Sequence, residues 1–338
     1  SAAQAAEALW ENPEEQGRRT PAGEALDGAG EEEEEEDLAI PSAKAVQSLL
    51  SKALDRIRLK KMKQDWTSQG RHEDVTRLVE LQDKHQDHTW LEHLNPATGQ
   101  VMAPHEWITA TRLRVGANFA PVERVCRACG EEVLDQQGYH ALCCAQGDST
   151  RGHYLFRDAM LAAFSMADPA TEKETEGLIP SAPTLRPADI LTQAAHPTAS
   201  SAVDVMVCSP YAQDAGEDCT ESGKREKRKK YAAYLQELEH GGVKYAPAVI
   251  SSFGRRHPDV TDMLTVAAKR AARHRGHTEP KALMRAWTRN IAVACWTRAA
   301  RMVHRCLQGA RGPEEDEEET PTGQVEEDDE GAWTMGPD

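Results

Sequence analysis

The chain has few aromatic residues, 5% of its 338 positions, and no run of about 18 apolar residues. We therefore expect no membrane-spanning helix and no membrane partner, and the lack of an apolar segment near Ser1 argues against a secretory signal. Lysine and arginine are absent from residues 312–338, which carry twelve acidic residues, and residues 31–37 are all acidic. Such segments repel themselves and remain solvated, so we predict a disordered acidic leader at 1–41 and a disordered acidic tail at 311–338.

The net charge of −16 conceals a strongly basic region. Residues 241–311 contain fourteen lysines and arginines against three acidic residues, which is a net charge of +11. A basic surface of this size suits a polyanionic partner such as a nucleic acid.

Hydrophobic patterns divide the rest of the chain into three parts. Residues 42–118 are predicted to be a helical linker region, because apolar residues recur at spacings of three and four from Val46 to Leu59. Residues 119–153 contain a cysteine-rich motif, and residues 154–310 alternate strands with helices. Strands are predicted at 188–192, 202–208 and 243–253, and helices at 154–166, 223–238, 262–275 and 280–307. The predicted fold class is α/β.

Four residues with the spacing Cys-x2-Cys-x10-His-x3-Cys predict a zinc knuckle: Cys126, Cys129, His140 and Cys144. A tight turn brings the first two thiolates together, and a short return segment supplies an imidazole and a thiolate, which completes a closed structural Zn²⁺ site. Cys143 is an alternative to Cys144, but Cys144 lies one full turn after His140 and is preferred. Ordinary buried thiols are the other interpretation. Because these cysteines have metal-ligand spacing, a disulfide framework is the poorer explanation and a reducing compartment is expected.

Two acidic residues follow the knuckle within predicted strands. If the first two strands form a hairpin symmetric about the His196-Pro197 bond, Asp189 lies directly opposite Asp204. Directly opposed like charges destabilise a sheet, because their Cβ atoms are only about 4.5 to 5.5 Å apart. A divalent cation with hard oxygen ligands, such as Mg²⁺, would offset the repulsion. The alternative is that one of the two residues is an ordinary surface acid.

A lysine-rich helix follows the second acidic residue. Positions 231, 234, 235 and 238 form the apolar stripe expected to face the sheet, and Lys227 lies one turn before Tyr231 on that stripe. Lys224 lies on the same side, whereas Lys229 and Lys230 point away from it. Lys227 is therefore the lysine predicted to reach the two carboxylates. Taken alone, a basic run of this kind is more typical of a solvated or phosphate-contacting helix face.

The order of these motifs resembles the C-terminal part of LINE-type, non-LTR retrotransposon proteins that use a restriction-like endonuclease of the PD-(D/E)XK type. In that family a Cys-Cys-His-Cys knuckle precedes an Arg-His-Asn signature, an Arg-Pro-Asp-type strand, a second Asp strand and a K-x-x-K-Y helix. The resemblance covers roughly residues 105–308. The corresponding segments here are 126–144, Arg151-Gly152-His153-Tyr154, Arg186-Pro187-Ala188-Asp189, Val203-Asp204-Val205 and Lys227-Arg228-Lys229-Lys230-Tyr231.

The resemblance implies a restriction-endonuclease-like core over 154–310, a small mixed sheet flanked by helices, and an Mg²⁺-dependent activity that nicks double-stranded DNA. Asp189 and Asp204 would hold the catalytic Mg²⁺, and Lys227 would orient or help deprotonate the attacking water. The nick would prime reverse transcription by a polymerase upstream in the parent protein, which adds element RNA as a partner and implies a nuclear location. We expect DNA contacts from Arg151, His153, Arg186, Lys224 and Lys230.

The sequence also departs from the family pattern. Gly152 splits the Arg-His pair, Tyr154 replaces Asn, and Met206 stands where other PD-(D/E)XK enzymes have lysine. Ser251 stands where relatives tend to have an acid. These changes keep a second hypothesis open, a catalytically decayed, zinc-containing nucleic-acid-binding module. A third hypothesis is a zinc-containing protein-interaction domain whose acidic tails recruit basic partners.

Overall fold

A computed structural model of the chain describes residues 43–92, 102–144, 149–276 and 279–309. The predicted acidic leader and tail lie outside these residues. The chain divides between Ile57 and Arg58 into two units. Within the described residues, no helix is both long enough and apolar enough to cross a membrane.

Helices form the N-terminal part, as predicted, but with more interruptions. Helix α1 spans Ala43–Ser68, α2 spans His72–Gln82, a short 3-10 turn spans Thr89–Leu91, and α3 spans Pro104–Val115. The break between α1 and α2 contains Gly70, whose φ of 71° is a left-handed conformation that glycine adopts without strain. The large apolar side chains of the first half of α1 are exposed rather than packed: Val46, Leu49, Leu50, Leu54 and Ile57.

A four-stranded mixed sheet forms the centre of the second half of the chain. Its strands are β3 (Glu172–Lys173), β4 (Ile190–Thr192), β5 (Ser200–Cys208) and β6 (Val243–Ser251), side by side in that order. The pairs β3–β4 and β4–β5 are antiparallel, and β5–β6 is parallel. Together with the helices around it, this sheet confirms the α/β class.

The hairpin of β4 and β5 has the predicted register. Ile190 pairs with Val203 and Thr192 pairs with Ser201, so the hairpin is symmetric about the His196-Pro197 bond. Asp189, the residue just before β4, therefore lies beside Asp204. This register was predictable because a short antiparallel connection fixes which residues face each other.

Helices cover both faces of the sheet. Helix α4 spans Ser149–Ser165, α7 spans Pro258–Arg275 and α8 spans Pro280–Gln308. Helices α4 and α7 pack on the sheet face formed by Ile190, Val203 and Val205, and α8 packs against α4 and α7. The other face is covered by α5 (Cys219–Lys230), a 3-10 turn (Ala232–Tyr234) and α6 (Leu235–His240). The prediction of one continuous helix over 223–238 was wrong, because the chain leaves the helical conformation at Tyr231, whose ring is buried beside Tyr245 of β6.

The cysteine-rich segment packs against α3 and α8 instead of standing apart. It contains a small hairpin of β1 (Arg124–Val125) and β2 (Val133–Leu134), followed by a 3-10 turn at His140–Leu142. Cys126 and Leu134 share a buried cluster with Leu113 of α3 and Trp296 of α8. The segment is thus part of the core.

Candidate active site and metal centre

The carboxyl groups of Asp189 and Asp204 converge on the sheet face covered by α5. Asp204 is 4% exposed, and its pKa is raised first by burial and also by the charge of the neighbouring Asp189 carboxyl group. Two carboxylates in contact repel unless a proton or a cation lies between them. A proton or a cation between the two carboxylates would therefore stabilise the pair.

Asp204 is bound by two further side chains. The ammonium of Lys227 donates to Oδ1 at 2.6 Å, and the hydroxyl of Tyr245 donates to Oδ2 at 2.6 Å. Burial raises the pKa of Asp204, and although Lys227 and Tyr245 oppose this effect, the pKa remains above its ordinary value. Asp204 is thus the member of the pair that more readily keeps a proton.

Asp189 has different surroundings. Nε2 of His153 lies 3.2 Å from Oδ1, and the backbone N–H of Val205 donates to Oδ2 at 2.7 Å. Burial would raise the pKa of Asp189, but the hydrogen bond and charge of His153, together with the hydrogen bond from Val205, outweigh it, so the pKa falls below its ordinary value. The environments push the two pKa values apart, which is typical of paired acids at functional sites.

Helix α5 positions Lys227, and its N-terminus is fixed by Asp218. The Asp218 side chain accepts hydrogen bonds from the N–H groups of Thr220 and Glu221, which caps the helix. At the other end, the Tyr231 hydroxyl donates to the carbonyl of Arg186 at 2.9 Å. Lys227 lies between these anchors with 18% of its side chain exposed.

Lys227 is also the lysine that reaches the acids, as its helical position predicted. The Lys230 ammonium lies over the Tyr231 ring, 4.9 Å from its centroid, and Lys224 pairs with Asp259 at 2.7 Å. Lys227 is therefore in contact with Asp204, and Asp189 lies beside Asp204 across the hairpin. Their catalytic roles remain a prediction.

The residues expected to contact DNA have different surroundings, and several of them already contact a carboxylate of the protein. Arg186 is paired with Glu176, and Lys224 with Asp259. His153 lies against Asp189, so its position suits orienting a carboxylate better than contacting a phosphate. The side chain of Arg151 lies outside the described residues.

A second cluster combines three predicted zinc ligands with a residue that the spacing could not reveal. Ligand atoms of Cys126, His140, Cys144 and Cys306 all lie within 4.8 Å of one another. Cys306 belongs to the last turns of α8. Three thiols and an imidazole have the donor chemistry to hold a metal ion such as zinc.

Cys129 and Cys143 flank this cluster. The Sγ atom of Cys129 lies 3.6 Å from Nε2 of His140, and hydrogen bonds from the N–H groups of Glu132 and Glu131 lower its pKa to about 6. The thiol of Cys143 instead donates to the hydroxyl of Ser209 at 3.1 Å. Cys144, and not Cys143, thus lies with Cys126 and His140, and Cys129 lies beside the cluster. The choice of Cys144 as a zinc ligand stays a prediction.

Comparison with protein-family models, with curated proteins and with solved structures found no match. The function of both clusters is therefore inferred from their own side chains. The resemblance to restriction-like endonucleases stays a prediction.

Ser251, which stands where relatives tend to have an acid, lies far from the carboxylate pair. Asp204 pairs with Pro247 across β5 and β6, whereas Ser251 pairs with Cys208. The Asp204–Pro247 pair and the Cys208–Ser251 pair are four residues apart along the strands, which is about 13 Å. An acid at position 251 would therefore be too far away to join the carboxylate pair, so its absence removes no donor from it. Ser251 is fully buried, and its hydroxyl accepts hydrogen bonds from the N–H groups of the following turn.

Proposed function

We propose that the chain contains a metal-dependent endonuclease domain of the restriction-like type, which nicks double-stranded DNA. The observation that carries the proposal is the pair formed by the half-buried Asp189 and the buried Asp204, with Lys227 bonded to Asp204 at 2.6 Å. Carboxylates and an ammonium in contact are the groups that hydrolysis of a phosphodiester requires.

The carboxylate pair fits a hard divalent cation. Asp189 accepts a hydrogen bond from the N–H of Val205, the neighbour of Asp204, and its charge is one of the causes, after burial, that raise the pKa of Asp204. A cation between the two carboxylates would relieve this repulsion. Mg²⁺ binds through one or two carboxylates and retains several waters. These two residues would hold the ion, and when bound it would polarise the scissile phosphate as a Lewis acid.

The side chains of the protein supply the remaining functions. Lys227 stabilises negative charge that develops on the phosphate and orients the attacking water. Tyr245 fixes the orientation of Asp204 through its 2.6 Å hydrogen bond, and His153 does the same for Asp189. Because the site is largely buried, these charge interactions are stronger than they would be in water.

The outer side of α5 is suited to a DNA backbone. Arg225, Arg228, Lys229 and Lys230 are exposed on the helix that carries Lys227. Contacts to phosphates would position the duplex without selecting a sequence. In an element of the LINE type, the resulting nick would provide a 3′-hydroxyl for reverse transcription.

A plasmid assay tests this proposal. Purified protein with Mg²⁺ should convert supercoiled plasmid to relaxed circles, and Asp204→Ala should abolish the conversion. Asp214→Ala, which removes an exposed acid from a nearby loop, is the matched control and should retain activity. DNA binding without nicking would instead support the decayed nucleic-acid-binding module, and the absence of both would support a protein-interaction domain.

A further inference from the structure

The end of α8 contributes a thiol to the knuckle cluster. Cys306 is 2% exposed, and its Sγ atom lies within 4.8 Å of the donor atoms of Cys126, His140 and Cys144. Cys126 and Cys144 are also buried, at 0% and 5% exposure. Three of the four donors are therefore enclosed by the protein, and His140 is half-buried.

The backbone already holds the two segments together at this point. The N–H of Arg127, which lies inside the Cys-x2-Cys turn, donates to the carbonyl of Cys306 at 3.0 Å. Cys306 shares a buried cluster with Cys126, Cys144 and Val303. The thiol of Cys306 thus reaches the cluster without any rearrangement of α8.

The spacing of the four donors suits a tetrahedral ion. Zinc bonds of about 2.0 to 2.3 Å hold the ligand atoms of a tetrahedron roughly 3.3 to 3.8 Å apart. The Sγ atoms of Cys126 and Cys144 are 3.9 Å apart, close to this range. Thiols are weak hydrogen-bond partners, so three of them buried beside an imidazole are better explained as ligands than as a hydrogen-bonding group.

We propose that Cys306 is a ligand of a structural zinc ion, together with Cys126, His140 and Cys144, and that the ion fastens the end of α8 to the knuckle. Cys129, which is not among the donors that all lie within 4.8 Å of one another, then lies outside the closed set. The inference holds whether or not the chain cuts DNA. The ion would then join the knuckle to the end of α8, two segments that are far apart in the sequence, instead of stabilising the knuckle alone.

The test compares three serine substitutions in the full chain. Cys306→Ser should weaken zinc binding in a chelator competition by at least roughly 100-fold, since loss of a ligand should exceed the effect of losing an outer-shell partner. Cys129→Ser should leave one zinc per chain. Cys295→Ser is the matched control, because Cys295 is equally buried on the same helix but lies outside the cluster. Amide exchange over residues 300–309 should accelerate in Cys306→Ser and not in the control.

A second variant covers the case in which Cys306→Ser fails to fold. Cys306→His retains a ligand atom, so it should bind one Co²⁺ with about two thirds of the thiolate-to-cobalt charge-transfer intensity of the parent. Unchanged intensity in Cys306→His would overturn the proposal. So would zinc affinity that is preserved in Cys306→Ser but lost in Cys129→Ser.

Discussion

Single residues around the carboxylate pair decide its charge state. Tyr245 is two strand positions beyond Val243 on β6, and its hydroxyl is the group that satisfies Oδ2 of Asp204. This hydrogen bond favours the ionised form of Asp204, whereas burial favours the neutral form. A carboxyl group must lose its proton before it can bind a metal ion, so this balance sets the lower pH limit of the proposed activity.

Replacing Tyr245 with phenylalanine should raise the pKa of Asp204 further, because the hydrogen bond to the charged form is lost while the burial remains. Asp204 must be ionised to bind the metal ion, so a higher pKa moves the acidic limb of the activity profile to higher pH. Nicking should therefore require a higher pH to reach half of its maximum rate, and the variant should lose about 1 to 3 kcal/mol of stability because a buried oxygen becomes unsatisfied. A pH profile of Mg²⁺-dependent nicking measures the shift. Tyr234→Phe is the control, and an acidic limb identical to that of the parent protein would contradict the assignment.

The sequence indicated which acidic and lysine residues lie together, but not which other side chains contact them. Asp189, Asp204 and Lys227 were found because hairpin symmetry and the period of one helix are local properties of the chain. Tyr245 and the position of His153 on Asp189 were missed, because both contacts depend on how separate elements pack. Cys306 was missed for the same reason, since no spacing rule connects it to the knuckle.

At the scale of elements, a buried ion network fixes the start of α5. The guanidinium of Arg255, which is 7% exposed, donates to Glu80 of α2 at 2.8 and 3.0 Å. It also donates to Asp218, the capping residue of α5, at 2.9 and 3.1 Å. The helix that carries Lys227 is thus tied to α2, which the sequence suggested was only part of a linker region. Local periodicity could not reveal this tie, because its partners are far apart in the chain.

Replacing Arg255 with methionine should loosen α5 and release Lys227 from Asp204. Breaking a buried pair leaves Glu80 uncompensated, so a loss of about 3 to 5 kcal/mol in the free energy of unfolding is expected. Acetylation of lysine side chains, followed by mass spectrometry, measures the release: Lys227 should become as reactive as Lys229. Arg225→Met, which removes an exposed arginine from the same helix, should leave Lys227 protected. Protection of Lys227 in Arg255→Met would show that α5 does not depend on the network.

At the scale of the whole molecule, opposite charges are segregated along the chain. The net charge is +11 over residues 241–311 and −12 over residues 312–338. An acidic segment of this size can compete with DNA phosphates for a basic surface. The alternative is that the segment only keeps the protein in solution.

Deleting residues 312–338 should therefore tighten DNA binding, with the largest gain at low salt, because charge interactions are screened within about 8 to 10 Å at physiological ionic strength. Fluorescence anisotropy with a labelled duplex across a salt series measures the effect. Equal affinities of the full and shortened chains at low salt would rule out competition by the tail.

The central claim is that Asp189, Asp204 and Lys227 form a nuclease active site. The measurement that tests it most directly compares the nicking rate of Lys227→Met with that of Lys229→Met. Both variants lose one positive charge from the same helix, but Lys227 is the one that contacts Asp204. The account predicts that Lys227→Met slows single-turnover nicking by at least about 100-fold, the effect of removing one group that stabilises developing charge, while Lys229→Met changes it only a few-fold. Equal rates for the two variants, or wild-type protein that binds DNA with Mg²⁺ and leaves it intact, would contradict the claim.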